Sequence, residues 1–148
     1  MTTVLAPNDV LLGAVVEQVW TAMLHRPVLP WLGSWPSGQT GVLASITVDG
    51  DWSGTLRLWC PDSAAVSMTR ALLRLTEGVD PELDDVEDAL GEVVNVVAGS
   101  LKGAVGGTSS LGLPSVTEGS TPELAADAVH LTVSWHDDPV LISILPAR

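Results

Sequence analysis

The 148-residue sequence contains no phenylalanine and no tyrosine, one cysteine and one lysine, Lys102. Six tryptophans fill the aromatic role. The lone Cys60 rules out an internal disulfide, so stability must come from an apolar core, and a reducing compartment fits best. Basic residues are scarce: six Lys and Arg stand against eighteen Asp and Glu, for a net charge of −12 at pH 7. A nucleic-acid binder needs basic surface to displace phosphate counterions, so no nucleic acid is expected as a partner. Anionic lipid is disfavoured on the same ground. The longest apolar run, Val10 to Trp20, is broken at Glu17 and is too short to span a bilayer, so no membrane association is expected. The start, Met1 to Asp9, lacks the basic opening of a signal peptide. These absences together predict a cytoplasmic protein.

What is present is apolar. The hydrophobic fraction is 46% and the charged fraction 16%, which argues against disorder. A chain of this length buries roughly 70% of its unfolded surface on folding, so residues 1–148 are expected to form one domain. Asn8 or Asp9 can cap a first helix from Val10 to Leu24, in which Leu12, Val15, Val16, Val19, Ala22 and Met23 recur at helical spacing. Residues 30–39 form a loop whose Trp31 and Trp35 are expected to act as a lid over the core. Strands Gly41 to Val48 and Trp52 to Cys60 flank Asp49-Gly50, a dipeptide favoured in tight hairpins. Asp62 or Ser63 can cap a second helix reaching Thr76. Asp80 then caps a third, with Pro81 at its first position and Glu82, Asp84 and Asp85 at the positive end of its dipole. That helix runs to Val105 and stops at Gly106-Gly107. A small-residue loop, Thr108 to Gly112, leads to Leu113 through Gly119. A second hairpin closes the sequence: Val129 to Trp135, a turn at Asp137-Asp138-Pro139, and Val140 to Leu145. The order predicts an α/β (α+β) fold, helices packed on a largely antiparallel sheet.

The third helix carries a polar stripe. At about 100° per residue, Val86, Leu90, Val93, Val97, Leu101 and Ala104 fall on one buried line. Opposite lie Asp85, Asp88, Glu92, Asn95, Gly99 and Lys102, with Val96 beside them as a partly exposed apolar residue. Glu92 and Asn95 are three apart and therefore neighbours on the helix surface. Gly99 lies on the same face, and a mid-helix glycine costs roughly 1 kcal/mol against alanine, a cost that close packing or partner access would explain. The plain alternative is that this face is merely solvated.

Self-contained catalytic or metal chemistry finds no support. Asp84, Asp85, Glu87 and Asp88 lack the alternation and glycine of a calcium loop. His25, His130 and His136 have no zinc spacing. The segment Gly103 to Ser110 follows a helix rather than opening one, and there is no nucleophile elbow. No metal site and no cofactor bound by this chain are expected. An asparagine amide can still hold a water molecule by donating and accepting hydrogen bonds.

The segment Asp88-Ala-Leu-Gly-Glu-Val-Val-Asn-Val-Val-Ala-Gly-Ser-Leu-Lys102 resembles the signature helix of the CheC/CheX/FliY chemotaxis phosphatases, which carries an exposed Glu-x-x-Asn followed by a glycine. Leu113-Pro-Ser-Val-Thr-Glu-Gly119 is similar to the Leu-Pro-x-Val-x-x-Gly strand of CheX-like members, and the order of elements also matches. Where some members carry a second motif on the first helix, this sequence reads Glu17-Gln-Val-Trp20, without the asparagine, which favours the CheX-like type. The resemblance implies a phosphatase acting on the aspartyl phosphate of a CheY-like response-regulator receiver. Asn95 would orient the attacking water, Glu92 would pair with the receiver's lysine, and Mg²⁺ would belong to the receiver. Asp88, Val96, Gly99 and Lys102 would meet the partner. A homodimer through a sheet edge of the terminal hairpin is a further implication. The alternatives are a catalytically silent module docking on a receiver or a flagellar-switch-like partner, and a structural domain whose Glu92 and Asn95 are only solvated.

Overall fold

Alternating side chains in four long strands supply the floor on which the helices sit. In the computed structural model, which describes residues 6–147, the elements run α1 (Asp9–Val19, continued by a π-helical turn, Trp20–Leu24), β1 (Leu29–Pro30), β2 (Thr40–Gly50), β3 (Gly54–Cys60), α2 (Asp62–Leu73), α3 (Leu83–Val105), β4 (Ser109–Leu111), β5 (Ser115–Ser120), β6 (Val129–Trp135) and β7 (Asp138–Pro146). The expectation drawn from the signal-free start falls partly on Met1 to Leu5, outside the described residues. The strands form one sheet in the order β1-β6-β7-β3-β2, and the far edge of β2 is shared by β4 and β5. Every pairing is antiparallel. Ala44, Leu58, Ile142 and Leu131 lie in register across β2, β3, β7 and β6. This face carries Ile46, Leu56, Val133 and Ile144 as well, and α1, α2 and α3 bury Leu12, Met68, Leu90 and Leu101 against it. The predicted class is thus the observed one: three helices on an antiparallel sheet.

Local details differ from expectation for physical reasons. Asn8 does cap α1, accepting from the Leu11 N–H at 2.8 Å. The helix relaxes into a π turn at Trp20, which leaves Ala22 exposed rather than on the apolar line. Asp80 does not cap α3: Arg70 of α2 takes its carboxylate at 3.2 Å. The helix begins two residues later instead, with Glu82 as N-cap and its N–H donating to the Asp85 carboxylate at 2.9 Å, a capping box. Neither Asp62 nor Ser63 caps α2. Pro61 is the N-cap, and Ser63 donates to Asp138 at 2.8 Å. That helix stops at Leu73 rather than Thr76, because Arg74 adopts a left-handed conformation. The first hairpin turns at residues 51–53, not at Asp49-Gly50. Gly50 is instead where β4 crosses, and a Cβ there would collide with the backbone of Thr108 and Ser109. The terminal hairpin turns at His136 and Asp137, both with positive φ, so Asp138 already pairs with Trp135. Residues 109–111, expected within a loop, form the short strand β4. Ala104 is exposed at the end of α3.

The tryptophan loop is not a lid on the helix-packed core. It forms a strap from β1 at one end of the sheet to β2, touching the face away from the helices at His130 of β6. The Trp31 N–H donates to the Thr132 carbonyl, Trp35 meets His130 edge-on at 6.4 Å, and Thr121 is tied to the Pro36 and Gln39 carbonyls. On that face Trp59 and Leu141 lie paired in register and fully buried, although the alternation in β3 predicted a single inward face. Trp35 itself remains 42% exposed. The outer edge of β6 is paired with Leu29–Pro30 of β1.

Candidate functional site

The site is built on α3, whose placement follows from its apolar side. Val86, Leu90, Val93, Val97 and Leu101 are buried as the wheel predicted, and Ala89, Val94 and Ala98 widen the buried arc. The opposite face is left to solvent. Glu92 is exposed and Asn95 half-buried, one turn apart. Neither side chain has a hydrogen-bond or ion-pair partner among the described residues. A carboxylate and an amide with unspent capacity therefore stand side by side on a rigid element.

Both line a groove of about 490 Å³. One wall is α3 itself, with Glu87, Asp88, Gly91, Glu92 and Asn95. The other is the turn from β4 into β5, with Gly112, Leu113 and Pro114, and Val116 forms part of the floor. One hydrogen bond holds the second wall in place. The Gly112 N–H donates to the Thr47 carbonyl at 2.8 Å, anchoring the turn to β2. Gly91 faces the turn, where a Cβ would make ordinary contacts with Pro114 at 3.6 Å and Val116 at 3.8 Å. Leu113 projects from this wall and is 92% exposed.

Of the residues singled out from sequence, Asp88, Glu92 and Asn95 are brought together in this groove. Val96, Gly99 and Lys102 lie farther along α3 and do not line it. Val96 is half-buried against the core. A Cβ on Gly99 would meet only Leu111, at 4.0 Å, so nothing in the chain's own packing demands glycine there. Sequence reasoning assigned no role to Leu113, Pro114 and Glu87. The signal available for the first two was a leucine held between glycine and proline, a turn that no element can absorb. Among the described residues no group of three or more His, Cys, Asp or Glu side chains is placed to hold a metal ion. None of the helices there is long and apolar enough to cross a membrane.

The CheX protein of Desulfovibrio desulfuricans has the same fold, with a TM-score of 0.73, 17% identity, and coverage of 92% of this chain and 96% of that one. The CheX in the CheX–CheY–BeF₃–Mg²⁺ complex from Borrelia burgdorferi superposes with a TM-score of 0.70 at 16% identity, covering 95% of this chain and 99% of that one. FliY of Thermotoga maritima is similar at a TM-score of 0.61 and 14% identity, covering 97% and 92%. No curated protein matches the sequence. Residues 42–133, which span the sheet's first hairpin, α2, the whole of α3 and most of β6, match the family described as chemotaxis phosphatase CheX. With more than half of its length so matched, the chain belongs to the CheX family of chemotaxis phosphatases.

Proposed function

We propose that this protein hydrolyses the aspartyl phosphate of a response-regulator receiver domain, using Asn95 and Glu92. The observation that carries the proposal is the unpartnered pair itself, lining one side of an open groove in a CheX fold. Hydrolysis needs a water oxygen in line with the phosphorus. That oxygen attacks, the bond from phosphorus to the aspartate oxygen breaks, and the products are a free carboxylate and inorganic phosphate. Most of the catalytic benefit in such a step comes from positioning and charge stabilisation. The Asn95 amide oxygen accepts from the water and so aims its lone pair, while its NH₂ donates to a neighbouring acceptor. Glu92 pairs with the receiver's conserved-type lysine, which registers α3 on the receiver. Mg²⁺ is supplied by the receiver and offsets the phosphoryl charge. Gly99, with no internal reason to be glycine, gives the receiver backbone room next to α3.

The test is the decay of a phosphorylated receiver with and without the protein. Asn95→Ala should lower the acceleration about 100-fold or more, as for loss of one positioned catalytic hydrogen bond. Acceleration undiminished in this variant would overturn the role given to Asn95. A second reading, docking without turnover, draws on Glu87 and Asp88, whose carboxylates share the groove and oppose a phosphorylated acidic site. Binding without any acceleration by the wild-type protein would select it.

A further inference from the structure

The Asn95 groove does not end at Glu87. A second groove of about 510 Å³ continues along the N-terminal half of α3 and shares Glu87 and Val116 with the first. From Leu83 to Asn95 the two together follow about 18 Å of helix. The floor of the second groove is apolar, between α2 and α3 on one side and β2 and β5 on the other. Leu83 is 72% exposed above it and Val66 36% exposed beside it. At the other end, Leu113 overhangs the first groove. This apolar surface has a rim of one sign: Asp62, Glu87, Glu118, Asp88 and Glu92 are its ionisable residues, and neither groove is lined by a lysine, arginine or histidine.

We infer that the combined groove is the docking surface for the receiver and selects receivers whose surface beside the phosphorylation site is basic with an apolar projection. This rests on the receiver reading given above and extends it to partner choice. Charge decides the occupant. A receiver's phosphorylation site is itself acidic, so a rim of five carboxylates repels any receiver that does not surround that site with lysine or arginine. Complementary charge sets encounter rate and excludes wrong partners more than it sets affinity. Affinity comes from desolvating Leu83 and Leu113 against apolar groups of the partner. Glu118 carries a separate argument: it stands on β5 and faces the groove across from Leu83, remote from the Asn95 end, so it has no part in holding water.

The test measures binding of a panel of receiver domains from the same genome, each loaded with beryllofluoride and Mg²⁺, alongside phosphate release. The variants are Leu83→Asp, Leu113→Asp, Glu118→Lys and Asn95→Ala. The first two positions are highly exposed in the wild type and leave the core intact. The expected result is that Leu83→Asp, Leu113→Asp and Glu118→Lys each weaken binding of the preferred basic receiver by about tenfold or more. Asn95→Ala loses the acceleration of phosphate release and weakens binding less than any of these three. Wild-type-like binding by Leu83→Asp and Glu118→Lys overturns the extended footprint and leaves the Asn95 result untouched. Weakened binding in these variants, with no acceleration by the wild-type protein, sustains the docking surface and overturns the phosphatase reading. Failure of every receiver to bind the wild type overturns both.

Discussion

Trp20 and Trp59 are both fully buried, yet only Trp59 has its indole N–H satisfied, at 3.0 Å from the Gly119 carbonyl. The Trp20 N–H has no partner among the described residues. Replacing each by phenylalanine removes a similar volume, so the two losses differ mainly by that hydrogen bond. Trp59→Phe should therefore destabilise more than Trp20→Phe, by about 1–2 kcal/mol, in urea unfolding. Equal losses would mean that the Trp59 bond contributes nothing net. The same distinction between met and unmet groups singles out Glu92 and Asn95, whose unmet groups open onto the groove. Helical spacing makes the two residues neighbours, but what singled them out in the sequence was the resemblance of their helix to the signature helix of the chemotaxis phosphatases. Leu113 was not legible there. Its exposure depends on Gly112 being tied to Thr47 some sixty-five positions earlier, and no local pattern encodes that tie.

At the scale of the element, α3 shows which parts of a helix a sequence discloses. Its buried stripe was readable residue by residue, apart from Ala104 at the frayed end. Its first residue was not. Asp80-Pro81 and Glu82 with Asp85 are both sound helix starts, and Arg70 on a different helix decides between them by pairing with Asp80. The two late glycines of α3 give a sharper test. A Cβ at Gly99 makes one ordinary contact and at Gly103 none, so Gly99→Ala and Gly103→Ala should each stabilise the fold by up to about 1 kcal/mol. Both variants should melt higher by calorimetry. Receiver dephosphorylation should fall in Gly99→Ala alone if that position is kept small for a partner; equal activity in the two would remove Gly99 from the interface.

For the molecule as a whole, the layer arrangement was legible and the strap was not. Alternation in β3 set Leu56 and Leu58 against Arg57 and Trp59; it put the two leucines on the helix-packed face, as observed, but not Trp59 in a buried place. The second face is buried as well, at Trp59 and Leu141, and the nine residues 31–39, whose Trp35 meets His130 on that face, carry no periodicity that could announce their path. Cys60 reports on this packing globally. It is fully buried, and desolvation, helped by the carboxylates of Asp62 and Asp138, pushes its thiol far above the usual range. The native thiol should resist alkylation at pH 8, and its labelling should proceed at the rate of global unfolding, becoming immediate in denaturant. Rapid labelling of the native protein would show that the core opens locally.

The pairing of β3 with β7 has a consequence during synthesis. Gly54 pairs with Pro146 and Trp59 with Leu141, so the middle of the sheet joins two segments far apart in the sequence. A ribosome delivers β2 and β3 early, and the helices α2 and α3 soon after, but the neighbour that closes β3 emerges only after residue 138 has left the exit tunnel. Until then the nascent chain exposes an unpaired strand edge beside apolar helices, the state most prone to associate with other chains. Translation speed across residues 109–146, rather than the stability of the finished protein, thus sets how long that edge is open to aggregation or to a chaperone.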